Sequence, residues 1–267
     1  MPTKMPSETK KRIIQQAIAY VHLFLSEKGG EGKSTLAHLL IEYLIFLLKT
    51  LVIIVEGDRS QPDIKRLFQN LVGHPDYSTL VEITHGFYSE DIRLRGMGDQ
   101  IWESALKTPN SHVIWNTPAN VSTALFQALH EDGLIEFAAD NRIGIINWCV
   151  TSGNSDAIRH FLRCLKEFPT MTHILVKNYG LNDDFTDLER NDELQAAIKA
   201  HRVPVIELPA IPYEELKIIK AHNLTFTQGI KVIRQTKGAI SSHRLQRFFN
   251  QACAQIEASG VFHAPQS

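Results

Sequence analysis

Eight consecutive residues, Lys28-Gly29-Gly30-Glu31-Gly32-Lys33-Ser34-Thr35, have the types and spacing of a loop that holds phosphate. They follow the apolar run Val21-His22-Leu23-Phe24-Leu25 and precede a long apolar pattern of helical period. The local order is therefore strand, turn, helix. In loops of the G-x-x-x-x-G-K-[ST] kind the glycines let backbone N–H groups point inward at phosphate oxygens. Lys33 then reaches the β- and γ-phosphates, and Ser34 offers its hydroxyl to Mg²⁺. The helix that starts here adds the partial positive charge of its N-terminus.

A phosphate loop after one strand predicts polar or acidic residues at the C-terminal ends of the neighbouring strands, the edge where open α/β sheets bind ligands. Val55-Glu56-Gly57-Asp58 ends one apolar run, and Val113-Ile114-Trp115-Asn116 ends another. Ile174-Leu175-Val176-Lys177-Asn178 and Ile206-Glu207-Leu208-Pro209 end two more. The segment Thr151-Ser152-Gly153-Asn154-Ser155 lies at a further strand end and reads either as a ligand- or partner-facing turn or as a helix cap. A carboxylate at Glu31 that pointed at a triphosphate would be repelled by several kcal/mol if desolvated. Its side chain is therefore expected to face outward or to meet a cation, which in a dimer belongs to the partner.

With the second lysine, Lys28, directly before paired glycines, the loop resembles the deviant Walker A loop of the ParA/MinD family of P-loop ATPases, K-G-G-x-G-K-[ST]-[ST]. The resemblance runs from about Val21 to about Pro209. It implies binding and slow hydrolysis of ATP with Mg²⁺, and a homodimer in the ATP state in which Lys28 reaches the partner's nucleotide. Lys28, Lys33 and Asp58 are then the catalytic residues, Asp58 standing at the second acidic position of the family's D-x-D-x-x-Q segment. Gly29 through Thr35 cradle the nucleotide, and Ser34, Asp58 and Asn116 form the Mg²⁺ shell. Glu56 stands where an aspartate is usual. Asn116 takes the place of the Walker B aspartate, so it can accept a hydrogen bond from a cation-bound water but brings no negative charge. Asn178 is implied as the reader of the adenine edge, with a simple turn before Gly180 as the other reading, and Pro209 as part of the base pocket. Within the family, the turn from Asn116 to Asn120 and the segment from Leu224 to Gly229 look most like the conjugation-associated TraL and MobD group.

The elements that must position these residues follow from the apolar pattern. Near-continuous apolar runs at Val21–Leu25, Leu51–Val55, His112–Trp115, Ile143–Val150, His173–Val176 and Val203–Glu207 read as strands covered on both faces. Helical patterns alternate with them. The expected fold is α/β, a mostly parallel central sheet with helices on both faces in three α/β/α layers, of the P-loop, ParA/MinD-like kind. Residues 1–19 form a basic N-terminal segment, of which Thr9 to Ala19 suits a helix. Residues 20–259 form a single domain, and 260–267 a flexible tail. Leu36 to Leu48 falls short of the ~20 residues a bilayer span needs and reads as a buried helix. Gly86 to Gly98 and Asn182 to Asp192 look irregular.

Composition narrows the partners. A net charge of -1 over 267 residues gives no global attraction to nucleic acid or membrane, and 43% hydrophobic residues suffice for a large core. Three cysteines, Cys149, Cys164 and Cys253, have no metal-type spacing and fit a reducing, cytoplasmic setting. Charge is uneven late in the chain. Between Ile211 and Arg247 stand Lys217, Lys220, Lys231, Arg234, Lys237, Arg244 and Arg247 against Glu214 and Glu215. This is either a solvated helical face or a surface for sequence-independent DNA binding, which would associate the protein with the nucleoid. An adaptor or cargo protein is the further partner expected. The stripe Leu245, Phe248, Phe249, Ala252 and Ile256 reads as a helix docked on the sheet, with a membrane-lying helix as the alternative.

Overall fold

Strands that are apolar along their whole length need cover on both faces, and the chain supplies it by alternating them with helices. The computed structural model describes residues 17–25, 29–57, 62–77, 79–118 and 121–262, with backbone alone at 92, 95 and 122. Among the described residues the strands are β1 (Ala19–Leu23), β2 (Leu51–Glu56), β3 (Val81–His85), β4 (Ser111–Asn116), β5 (Ile143–Thr151), β6 (Thr172–Asn178) and β7 (Val205–Leu208). They form one sheet in the order β3-β2-β4-β1-β5-β6-β7, every pairing parallel. The helices are α1 (Lys33–Glu42), α2 (Asp63–Phe68), α3 (Asp99–Lys107), α4 (Ser122–Glu131), α5 (Leu134–Asp140), α6 (Ser155–Glu167), α7 (Thr186–Glu189), α8 (Asp192–His201), α9 (Tyr213–Ala221), α10 (Phe226–Thr236) and α11 (Ala239–Ala258). This is the three-layer α/β/α architecture that the sequence predicts.

The strand period of two divides the core. Phe24, Ile54, Ile114, Trp148 and Val176 face α1, α10 and α11, where they meet Leu36, Leu40, Ile233, Leu245 and Phe249. Val21, Leu23, Val55, Val113 and Ile145 face the other way, onto Trp102 of α3, Leu125 and Leu129 of α4 and Ala138 of α5. Cys149 and Leu175 pack on α6 and α8 through Phe161, Leu165 and Leu194. The stripe of α11 is wholly turned onto the sheet, as a docked helix requires, and each large apolar side chain so buried contributes about 1.5–3 kcal/mol.

Helix α1 carries a buried charge. Glu42, with no exposed surface, accepts from the backbone N–H groups of Phe226 and Thr227 and from the Thr227 hydroxyl, at the start of α10. His38 Nε2 lies 2.7 Å from the same carboxylate. Beyond Glu42 the helix widens into a π turn over Tyr43–Leu47, with Leu48 N bonded to Tyr43 O, and Lys49 ends it in the left-handed region at φ 55.

Several boundaries differ from the sequence reading. Ala19 belongs to β1 rather than to a preceding helix, while residues 1–16 lie outside the described residues. Strand β3, at one edge of the sheet, is not evident in the sequence because its residues form no apolar run. Only Val81 and Ile83 alternate with Glu82, Thr84 and His85, and it pairs with β2 alone. The irregular stretch after it contains a 3-10 segment, Ile92–Gly98. The start of the expected flexible tail is docked: the Phe262 ring stacks on His22 and Trp148, at centroid distances of 5.8 and 6.1 Å. All three cysteines are buried, and none is in a disulfide.

Candidate functional site

The chain leaves β1, the central strand, at its C-terminal end and enters the phosphate loop. The departure is fixed from below: the Thr117 hydroxyl donates to Phe24 O at 2.7 Å, and Leu25 N donates to Asn147 Oδ1 at 3.2 Å. Neither Thr117 nor Asn147 stood out in the sequence, since each acts on main-chain atoms of a distant segment. Gly30 and Gly32 adopt φ of 84 and 99, the left-handed region that glycine enters without cost. Gly32 is constrained a second time, because a Cβ there would stand 2.3 Å from Asn178 Nδ2. Gly29 and Gly30 are exposed, whereas Lys33 is buried in the first turn of α1. Burial pushes the Lys33 ammonium below its ordinary pKa, and the nearby Glu31 carboxylate pulls it back up. The same burial, with Glu31, pushes the Cys149 thiol up to about 12.

Glu31 does not face outward. It is buried, and its carboxylate accepts from Ser152 N at 2.8 Å and from Asn154 Nδ2 at 2.8 Å, both in the turn after β5. Hydrogen bonds to the charged form within the same chain meet the cost of burial that the sequence reading assigned to a cation. Asn154 also accepts from Ala157 N at 2.9 Å, so the residue that holds Glu31 caps α6. The serines of this turn were read as cap candidates, but the cap is the asparagine between them.

Asn178, at the end of β6, spends its side chain on the loop. Its amide donates to Glu31 O at 2.8 Å, and its Oδ1 accepts from Gly180 N at 3.0 Å. In this arrangement it shapes the phosphate loop and makes the turn before Gly180 that is its other reading from the sequence. A cavity of about 430 Å³ opens just beyond it, lined by Tyr179, Glu207, Pro209, Ala210, Gln251 and Gln255. Beside it Lys177, buried, forms an ion pair with Glu189 at 2.6 Å.

On the opposite flank Ser34 is exposed, with its hydroxyl 3.4 Å from Asn116 Oδ1. Asn116 Nδ2 donates to Glu56 Oε1 at 2.8 Å, and Glu56 Oε2 accepts from Lys65 N at 3.1 Å. Glu56 and Asn116 are both buried and are partners in the β2/β4 register. Ser34, Asn116 and Glu56 thus join in one hydrogen-bonded row. Lys28 and Asp58 lie outside the described residues. The sequence also carries Glu27 where the general G-x-x-x-x-G-K pattern begins with glycine. Among the described residues no three His, Cys, Asp or Glu side chains gather as a metal site, and no helix is long and apolar enough to cross a membrane.

No protein-family model and no curated protein matches this chain. Solved structures resemble it in outline. A ParA family ATPase from Chlorobium tepidum is 14% identical over 86% of this chain and 98% of its own, with a TM-score of 0.48. The cell division protein MinD of Aquifex aeolicus is 13% identical over 90% and 97%, with a TM-score of 0.47. A nucleotide-binding protein from Archaeoglobus fulgidus, in complex with ADP, is 15% identical over 82% and 92%, with a TM-score of 0.45. These similarities are distant, and the architecture stands on the strand order and loop described above.

Proposed function

We propose that this chain is a nucleotide-dependent switch of the ParA/MinD kind. It binds ATP and ADP with Mg²⁺ at the phosphate loop, hydrolyses ATP slowly and pairs with a second copy in the ATP state. The observation that carries the reading is the loop itself: two left-handed glycines and a buried Lys33 at the N-terminus of α1, on the end of the central strand. A buried ammonium whose charged state is disfavoured gains from an anionic phosphate. The cavity containing Pro209 and Tyr179 is of a size and position to take the base. Ser34 Oγ, Asn116 Oδ1 and the Glu56 carboxylate are hard oxygen donors that suit Mg²⁺. When bound, Mg²⁺ neutralises charge on the transferring phosphoryl group. Lys33 adds its own positive charge there, and Lys28 and Asp58 keep the roles the sequence resemblance implies.

The output is DNA held without regard to sequence, in plasmid partition, cargo positioning or conjugative transfer. All seven cations of α9 to α11 are exposed. Lys217 pairs with Glu214 at 3.0 Å and Arg244 with Glu215 at 2.6 Å. Lys220, Lys231, Arg234, Lys237 and Arg247 have no acidic partner among the described residues. Unpaired, exposed cations are what counterion release on phosphate contact requires. A membrane-surface role is disfavoured, because the apolar stripe of α11 is committed to the sheet. The test is fluorescent-ADP binding and phosphate release by the parent and Lys33→Ala, then DNA retardation at low salt with ATP and with ADP. Binding and turnover are expected to be lost in Lys33→Ala, and retardation to need ATP. Nucleotide-independent retardation would refute the switch, and equal nucleotide binding by both proteins would refute the site.

A further inference from the structure

We propose that Glu56 is the strand-end carboxylate for the nucleotide's divalent cation, and that Asn116, which stands where the acid is expected, serves to hold Glu56 in place. The inference rests on the nucleotide-binding reading above. The β2/β4 register puts the two residues side by side on the same edge, because parallel neighbours in register project side chains to the same face. Glutamate has one methylene more than aspartate, and the added reach brings Oε1 to 2.8 Å from Asn116 Nδ2.

That bond fixes the amide. With Nδ2 donating to a carboxylate, Oδ1 must turn the other way, toward the Ser34 hydroxyl at 3.4 Å. The reversed amide would set its oxygen against Glu56. One negative charge is thereby kept at the paired ends of β2 and β4, carried on the neighbouring strand. A carboxylate only 3% exposed is costly without compensation. Asn116 and Lys65 N supply two hydrogen bonds, and these hold the carboxylate in the row that runs through Asn116 to the Ser34 hydroxyl. A structural Glu56 acts as an acceptor, for Lys65 N at the start of α2 among others, whereas a cation partner acts by its charge. The two roles separate on exchange of charge: an acid returned to 116 replaces Glu56 as a cation partner but not as an acceptor for Lys65 N.

The experiment measures fluorescent-ADP affinity with Mg²⁺ and with EDTA, and Mn²⁺ binding to the ADP complex by electron paramagnetic resonance. The proteins are the parent, Glu56→Gln, Asn116→Asp and the double exchange Glu56→Gln/Asn116→Asp, each checked for folding by circular dichroism. The parent is expected to bind at least about tenfold more tightly with Mg²⁺. Glu56→Gln should lose most of that ratio and its Mn²⁺ signal while keeping its affinity in EDTA, and the double exchange should regain both. Asn116→Asp, which sets a second carboxylate against the first, should show a larger ratio than the parent and a melting temperature that rises on adding Mg²⁺. An unchanged ratio in Glu56→Gln, or a double exchange no better than Glu56→Gln, overturns the proposal. Should Glu56→Gln fail to fold, an unaltered ratio in Asn116→Asp overturns it. A parent that binds ADP equally with and without Mg²⁺ overturns it too, while leaving the nucleotide reading intact. A parent that binds no ADP in either condition removes both.

Discussion

On the strand that carries the phosphate loop, buried His22 meets half-buried His112 of the neighbouring β4, and acid should unfold the protein through this pair. Trp148 Nε1, which can only donate, lies 3.0 Å from His22 Nδ1, so His22 carries its proton on Nε2 and donates it to His112 Nδ1 at 2.9 Å. Both rings are therefore neutral. They sit among Tyr20, Trp148 and Phe262, with no carboxylate in contact among the described residues. Burial pushes His112 down to about 4, and burial with His112 pushes His22 well below its ordinary value. An unfolded histidine titrates near 6.5. Between that value and about 4 the unfolded chain binds more protons than the folded one. Stability is therefore complete above about pH 6.5 and declines as pH falls. His112 alone removes about 1 kcal/mol by pH 5.5 and about 2–3 kcal/mol by pH 4.5, and His22 acts in the same direction.

The assay is urea unfolding followed by tryptophan fluorescence at pH 7.5, 5.5 and 4.5, on the parent and on His112→Phe. Phenylalanine keeps a ring against Tyr20, whose centroid lies 5.1 Å from that of His112. It deprives the His22 Nε2–H of its acceptor, at a cost of about 1–3 kcal/mol at pH 7.5. The gap between parent and variant should then narrow by about 2 kcal/mol on going to pH 4.5, because the variant lacks one titrating group. Equal slopes against pH in the two proteins would refute the reasoning.

Three further outcomes follow from buried contacts at and behind the site. Gly32→Ala should fold, by circular dichroism, yet lose at least about tenfold in ADP affinity, since a Cβ at φ 99 meets Asn178 Nδ2 at 2.3 Å. Glu31→Ala should leave ATP-state dimerisation unchanged by sedimentation, because its partners lie in its own chain, and should speed hydrogen exchange at 152–157. Glu42→Gln sets an amide against the N–H groups that open α10. It should cost about 2–3 kcal/mol, lower the melting temperature by about 5–10 °C and loosen 226–236 in hydrogen exchange.

What the sequence discloses here depends on whether an interaction has a letter. The phosphate loop is legible because its function needs glycine and lysine at set spacings. Six of the strands are legible because their apolar runs are nearly continuous, and α11 because its stripe keeps helical period. Strand β3 is not, since an edge strand with one neighbour needs only alternate apolar residues, and two of five do not form a run. For Asn178 the sequence offers an adenine-edge contact or a turn before Gly180; the turn forms, and the added bond to Glu31 O is not legible because every residue type possesses that atom.

Three of the four buried glutamates among the described residues make the same point and join the parts of the proposed switch, while the fourth, Glu215, meets Arg244. A reading by charge looks for a lysine or arginine opposite each of Glu31, Glu42 and Glu56. In each case the fold also directs main-chain N–H groups at the carboxylate: Ser152 for Glu31, Phe226 and Thr227 for Glu42, Lys65 for Glu56. Such donors are fixed in direction by the fold, so a carboxylate that uses them binds one segment to another in a single geometry. Glu31 ties the phosphate loop to the turn before α6, Glu56 ties the end of β2 to α2, and Glu42 ties α1 to the basic helix α10. Two of the three bonds start on the loop or on the helix it opens. Any displacement of that unit would strain the joints to α6 and α10 together, because close-packed interiors shift between discrete arrangements rather than yield by degrees.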